Sequence, residues 1–280
     1  MSVTAWIGKS ETRSDVITAG PVAALSGTLD REDPPPQPGD PLPLLWHWLF
    51  FLDSHRASEL GPDGHARRGG LLPPIELPRR MWAGSRFEFH HPLRVGDQIT
   101  RVTRVVDIKE KAGRSGPLVF VVVRHEISNG AGLAVAEEHD IVYRDHSRDR
   151  SQAAPAQPAP ADAAWERVIS PDIAFDVLLF RYSALTFNAH RIHYDRRYAT
   201  EVEGYPGLVV HGPLIATLLM DLLRRNQPAV NVAQFSFRAV SPLFDTAPFV
   251  VCGRPQANTT QLWAKDAMGN LAMSAEASIR

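Results

Sequence analysis

Residues 87–144 alternate between apolar and polar positions over unusually long stretches. FEFHHPLRVGDQITRVTRVVDIKEK (87–111), then GPLVFVVVRHEISN, then LAVAEEHDIVYR are rich in β-branched residues and are separated by Gly-containing segments. A period of two puts successive side chains on opposite faces of a sheet, so three long strands are expected here. The period changes at 211. In HGPLIATLLMDLLRR (211–225) Leu214, Leu218 and Leu222 recur every four residues, Pro213 falls in the first turn and two arginines close the segment. That stripe predicts the principal helix of the chain. Four shorter runs follow, FSFRAV, FVVCGR, TQLWAKD and LAMSAEASI, the last two joined by MGN, and read as strands. LPLLWHWLFFLD (42–53) is apolar on every side, which predicts a deeply buried helix. It falls well short of the roughly 20 residues that cross a bilayer, and His47 interrupts it, so no membrane partner is expected.

A weak internal repeat organises these elements. SRFEFHHPLRVGD (85–97) and AQFSFRAVSPLFD (233–245) share F-x-F, then Pro-Leu, then Asp, with two residues inserted before the second proline. Two related halves follow, each an early helix and then a strand meander. DREDPPPQPGDP (30–41) reads as an extended surface loop, and RDHSRDRSQAAPAQPAPADAA (144–164) as a linker between halves. The expected division is therefore 1–143, linker 144–164, and 165–280.

Composition narrows the function classes. With 30 Lys plus Arg against 31 Asp plus Glu, the net charge of -1 offers nucleic acid no attractive field, so any anion site must be local. One cysteine, Cys252, forms no intrachain disulfide and reads as a small buried apolar residue. The N-terminal MSVTAWIGKSETRSD has none of the continuous apolar character of a signal peptide, so a cytoplasmic location is expected.

Candidate chemistry concentrates in LLFRYSALTFNAHRIHYDRRYATE (178–201), which gathers Arg181, Thr186, Asn188, His190, Arg191, His193 and Asp195. One reading is an apolar strand ending in a loop around a small substrate, with His193 placed for proton transfer near neutral pH. The other is a solvated loop at the start of an amphipathic helix. His190, His193 and Asp195 could offer three metal ligands, but no HExxH spacing or second cysteine accompanies them, and no metal is expected. His90 and His91 are adjacent in a strand and face opposite ways, so at most one could join a site.

LTFNAHRIHYD (185–195) resembles the hydratase 2 signature of MaoC-like enoyl-CoA hydratases: leucine, threonine or serine, glycine, aspartate, any residue, asparagine, proline, aliphatic, histidine. Laid on without gaps, Leu185, Thr186, Ile192 and His193 agree. GYPGLVVHGPLIATLL (204–219) is similar to the glycine-rich approach and His-Gly helix start of the same family. Nearly all of residues 10 to 280 resemble the subgroup containing mesaconyl-C4-CoA hydratase, itaconyl-CoA hydratase and the fungal mitochondrial 3-hydroxyacyl-thioester dehydratase.

The resemblance implies an α+β double hot dog fold, antiparallel sheets each wrapped around a central helix. It implies reversible addition of water to a 2-enoyl-CoA thioester, a short branched dicarboxylic one such as itaconyl-CoA or mesaconyl-C4-CoA. His193 would take a proton from water, and the Gly212 N–H would receive the thioester oxygen. Asn188 stands where the family has its aspartate and, being unable to act as a base, would only orient the water. Arg181 and Arg191, with His190, flank the motif as candidates for a substrate carboxylate. Lys109, Lys111 and Arg114, or Arg196 and Arg197, are candidates for the coenzyme A phosphates. The partner expected is an acyl-CoA thioester, with no cofactor and no nucleic acid, and a homodimer is left open. Two rivals stand beside this reading, a hot dog acyl-CoA thioesterase and a non-catalytic acyl-thioester binding subunit.

Overall fold

The two copies of the repeat lie side by side. Strands β2 (Arg79–Phe89) and β7 (Val232–Ala239) pair antiparallel, with Phe87 opposite Phe235 and Gly84 opposite Arg238. Their F-x-F segments bury Phe87, Phe89, Phe235 and Phe237 on one face and leave Arg86, Glu88 and Ser236 exposed on the other, as a period of two requires. The strands approach most closely at Gly84, where a Cβ would stand 2.4 Å from the Phe237 carbonyl oxygen.

The structure, a computed structural model, describes residues 3–113, 116–145, 156–170 and 175–280. Around the central pair runs one ten-stranded sheet. On one side of β2 lie β5 (Gly132–Arg144), β4 (Gly116–Asn129), β3 (Gln98–Gly113) and β1 (Ser10–Val16). On the other side of β7 lie β10 (Leu271–Ile279), β9 (Thr259–Asp266), β8 (Phe249–Pro255) and β6 (Trp165–Ile169). Every neighbouring pair is antiparallel. The runs expected as strands in the second half all form. In the first half 87–111 holds parts of two strands rather than one, because the segment after β2 turns. There Pro92 lacks a donor, Gly96 takes φ +96° and Asp97 Oδ2 accepts the Arg94 N–H.

Helix α3 (Gly212–Asn226) forms where the four-residue stripe predicts it and packs against β6, β8, β9 and β10. Leu214, Leu218 and Leu222 are buried, and so is Asp221, which faces three guanidinium groups. Arg31 approaches it at 2.6 Å, Arg167 at 3.0 Å and Arg225 at 2.7 Å. Arg224 and Arg31 also pair with Asp33. The start of the proline-rich segment 30–41 is thus fastened to α3 and is not merely a surface loop.

Three expectations need correction. The apolar run 42–53 is buried as expected, but only Trp46–Leu49 makes a short 3₁₀ turn, bounded by left-handed Leu45 and by Phe51 at φ +58°. Burial from all sides fixes no period, and Pro43 adds a missing donor. The first half's helix is instead α1 (Ala19–Thr28), which buries only Val22, Leu25 and Ser26. The apolar start of 178–201 is not a strand. It belongs to helix α2 (Phe175–Leu185), whose buried residues Phe175, Leu179 and Tyr182 share one helical face. Of the expected linker, 146–155 lie outside the described residues. Its later part is hydrogen-bonded to the second half: Leu271 donates to Gln157, Ala159 to Gly269 and Ala164 to Gly253. Cys252 is buried, and burial pushes its thiol up to about 12.

The Gly84 contact yields a test. A backbone carbonyl cannot swing aside, so Gly84→Ala should destabilise the protein by about 1–3 kcal/mol, as overpacking does. Urea unfolding measures it, and an unchanged midpoint would mean that β2 and β7 are further apart than described.

Candidate active site

The motif is built on the end of α2. Phe187 N–H donates to Ala184 O at 3.3 Å and Asn188 N–H to Ser183 O at 2.8 Å, a closure that needs one left-handed residue. Phe187 takes that conformation at φ +50°, at the position where the hydratase 2 signature has glycine, and a non-glycine residue there costs about 1–2 kcal/mol. Asn188 Oδ1 then accepts the His190 N–H at 3.0 Å, and a short turn over Arg191–His193 buries Ile192 and His193.

Residues 207–210 run past this turn and hold it. Val209 N–H donates to Ile192 O at 2.9 Å, while Asp245 Oδ1 accepts the Leu208 N–H at 2.8 Å. Gly207 makes room for Asp245, since a Cβ there would lie 2.4 Å from Oδ1. His193 Nδ1 lies 2.7 Å from Val209 O. A carbonyl oxygen only accepts, so Nδ1 carries the proton and Nε2 keeps its lone pair.

The His193 ring stacks on His211, with centroids 3.8 Å apart and planes 19° apart. His211 is fully buried and immediately precedes α3, with Nε2 2.8 Å from Ser183 Oγ. Its Nδ1 has no hydrogen-bond partner among the described residues. The next residue, Gly212, opens the helix, where N–H groups lack intrahelical acceptors and the dipole is positive. Nothing lies within 4 Å of where its Cβ would be. The structure therefore brings His193 beside the helix start that carries Gly212.

Burial pushes His193 down to about 4, offset only in part by the Val209 hydrogen bond. Burial likewise depresses His190 and His211 strongly. The expectation of a histidine titrating near neutrality is corrected accordingly. His193 is a neutral base across the neutral range, and its protonated form is disfavoured because the charge would be desolvated.

A further component comes from the first half. Leu60 bridges to Ala66, and Gly61 N–H donates to His65 O at 2.7 Å, closing a small hairpin. The hairpin sits directly on the motif. Arg191 donates through its N–H to Asp63 O and through Nη1 to Pro62 O, each at 2.9 Å. Gly64, at φ +90°, has no room for a Cβ, which would fall 1.8 Å from Ala189 O. His65 Nδ1 lies 2.9 Å from Asp63 Oδ2, and the His65 ring is 4.2 Å from that of His190. His190 in turn stands edge-on to His193 at 5.4 Å. Sequence reasoning missed this hairpin. The Asp-x-His within GPDGHARRGG was the available signal, but nothing in its spacing points to residues 189–193.

Among the described residues, Asp63, His65 and His190 are the group whose donor atoms all lie within 4.8 Å of one another and that could hold a metal ion. Asp63 and His65 direct facing atoms at each other. The set considered from sequence is not assembled, since Asp195 pairs with Arg191 at 2.8 Å and accepts the Tyr198 N–H. Thr186 donates its hydroxyl to Tyr182 O. Arg191 is occupied by Asp195 and Pro62, and Arg181 faces outward on α2. Arg196 pairs with Asp245, Arg197 with Glu201 and Lys109 with Asp107. Lys109 and Lys111 line an outer-face cavity of about 820 Å³ whose walls do not include His193. Arg114 lies outside the described residues. His90 is exposed beside Glu88, and His91 sits at the following turn.

A continuous antiparallel sheet formed by two related meanders, with a long buried helix starting beside a buried histidine, defines the double hot dog dehydratase class. Solved structures agree on the fold. A MaoC-like dehydratase matches with a TM-score of 0.70 at 14% identity, covering 100% of this chain and 99% of its own. A conserved hypothetical protein from Mycobacterium tuberculosis described as a double hot dog fold matches with a TM-score of 0.59 at 13% identity, covering 98% and 96%. The family model for hydroxyacyl-thioester dehydratase type 2 matches residues 45–245. The mesaconyl-C(4)-CoA hydratase of Chloroflexus aurantiacus is 48% identical over 97% of this chain and 95% of that protein. The mitochondrial hydroxyacyl-thioester dehydratase type 2 of Schizosaccharomyces pombe is 27% identical over 89% and 90%. The chain belongs to the hydroxyacyl-thioester dehydratase type 2 family.

The depressed histidines set a pH dependence of stability. A histidine whose folded pKa of about 4 lies below its unfolded value near 6.5 contributes stability that is present above 6.5 and lost as pH falls from 6.5 towards 4. His125, His139 and His190 act in the same direction. Urea midpoints should therefore drop between pH 7 and 4.5, and less steeply in His193→Gln. Equal slopes for the two proteins would contradict a neutral buried His193.

Proposed function

We propose that this protein is an acyl-CoA hydratase/dehydratase that adds water reversibly across the double bond of a 2-enoyl-CoA thioester. The observation that carries this reading is the neutral His193, its proton fixed on Nδ1 by Val209 and its ring stacked next to the N-terminus of α3. Hydration needs a base for water at the β-carbon, a proton at the α-carbon and a donor for the enolate oxygen. Nε2 of His193 takes the water proton as the oxygen bonds to the β-carbon. The Gly212 N–H receives the charge that gathers on the thioester oxygen, where an unpaired donor at the positive end of a helix is most effective. Asn188 has Oδ1 engaged with the His190 N–H, which leaves its Nδ2 donor to orient the water.

The 48% identity to a mesaconyl-C(4)-CoA hydratase supports a short branched dicarboxylic acyl group, of which itaconyl-CoA is a close analogue. Because Arg191 is already engaged by Asp195 and Pro62 and Arg181 faces outward on α2, His190 is the remaining sequence candidate for the free carboxylate, as a neutral hydrogen-bond donor. A cytoplasmic location and a homodimer belong to the same proposal. Among the described residues no helix is long and apolar enough to cross a membrane.

One assay tests the reading. Mixed with mesaconyl-C4-CoA, the protein should remove the ultraviolet absorbance of the conjugated thioester while a thiol reagent detects no free coenzyme A. His193→Ala, if folded, should lower kcat by about 10²- to 10⁴-fold, the usual contribution of a general acid or base. Release of thiol would identify a thioesterase, and binding without turnover a non-catalytic subunit.

A further inference from the structure

Hydration moves two protons, and the family signature supplies an aspartate and a histidine to handle them. Here the aspartate position is Asn188, which cannot ionise, so the motif alone offers His193 as the ionising group. The hairpin from the first half brings a carboxylate and a further histidine to the same place. We infer that His65, oriented by Asp63, is the second acid–base residue of this site and exchanges the proton at the α-carbon of the thioester, while His193 exchanges that of the water. The inference rests on the hydratase reading above.

Four observations carry it. Asp63 Oδ2, 2.9 Å from His65 Nδ1, accepts that N–H and leaves Nε2 as the working atom, the orientation that carboxylate–histidine pairs impose. The hairpin is fixed to the motif itself, through Asp63 O and Pro62 O on Arg191 and through the close approach of Gly64 to Ala189 O. His65 packs on His190, and His190 packs edge-on to His193, so one ring touches both proposed proton carriers. The charged and titratable groups around His65 come from three elements: Asp63 and Arg68 from its own loop, Arg80 from β2 and His190 from the motif. Burial lowers the proton affinity of His65, and Arg80 and Arg68 lower it further against the opposing pull of Asp63. Burial works against the Asp63 carboxylate too, yet its hydrogen bond with His65 holds it well below the usual range, so it stays ionised.

The proton balance closes. In hydration a water O–H bond breaks to His193 Nε2 as the oxygen bonds to the β-carbon. The double-bond pair moves towards the thioester oxygen, and the resulting enolate takes a proton at the α-carbon from Nε2–H of protonated His65, whose Nδ1–H stays on Asp63. One proton enters at His193 and one leaves at His65, and exchange of each ring with solvent water restores both. In dehydration the neutral His65 removes the α-proton and His193 protonates the departing hydroxyl.

The test uses the full-length chain. His65→Ala and His65→Gln should retain the wild-type circular dichroism spectrum while kcat falls about 10²-fold or more and KM stays within about threefold. Added imidazole should restore about tenfold of the loss in His65→Ala and nothing in His65→Gln, where the side chain fills the space. Asp63→Asn, which keeps the hairpin's carbonyl contacts, should lower kcat about tenfold and displace the limb of the pH–rate profile that belongs to His65. A folded His65→Ala with kcat within about threefold of wild type would overturn the inference, as would a loss that imidazole leaves unrescued with an unaltered pH profile. If His65→Ala does not fold, Asp63→Asn decides, and an unchanged rate and profile overturn it. A wild-type protein without hydratase activity would instead refute the reading beneath, whereas an active wild type indifferent to these changes refutes this inference alone.

Discussion

The hydrogen bond from His193 Nδ1 to the Val209 carbonyl is the contact on which the site depends. It selects the tautomer, leaves Nε2 unprotonated and holds the ring where it stacks on His211 at the entrance of α3. Val209 is in place because residues 207–210 are pinned from two directions, by Ile192 through its own N–H and by Asp245 through that of Leu208. Asp245 is the aspartate of the internal repeat. In the first half its counterpart Asp97 merely closes the turn after β2, by accepting the Arg94 N–H, and accepts from Asn129. A turn that in one copy is structural has, in the other, become the support of His193, the base of the proposed hydration.

The first half contributes more than the other side of a sheet. Its β2 pairs with β7 across the centre of the molecule, and Arg31 and Asp33 reach the buried Asp221 and the Arg224 of α3. A carboxylate as buried as Asp221 is tolerable only because guanidinium groups from three segments surround it. That cluster fixes α3 relative to the first half, and with it the helix start that faces His193. The hairpin of residues 60–66 adds contacts on the other side of the motif, so the site lies between elements of both halves even though its signature belongs to one.

Much of this was legible in the sequence, for identifiable reasons. Helix α3 and the second-half strands have one buried face each, and a single buried face writes a clear period. The repeat marked two related halves, whose F-x-F strands β2 and β7 turn out to pair, and the motif resemblance singled out His193 and Gly212, which the structure brings near one another. What failed to show was set by tertiary context. Segment 42–53 is buried from all sides and so carries no period, while α1 has too few buried positions to display one. Helix α2 exposes Phe180 at 63% among its apolar residues, which blurs its pattern into that of a strand. His65 reaches the motif by a hairpin more than a hundred residues away in the chain, and the depressed affinity of His193 for protons follows from a burial that composition does not reveal.

The central claim, that His193 is a neutral buried base with its proton on Nδ1, is open to direct measurement. Nitrogen-15 chemical shifts of the histidine side chains, with His193 assigned by comparison with His193→Gln, report the protonation of each ring nitrogen. The structure predicts an Nδ1–H, Nε2-unprotonated imidazole that stays neutral from pH 8 down to about 5. A proton on Nε2, or a titration centred near the ordinary histidine value of about 6.5, would contradict it.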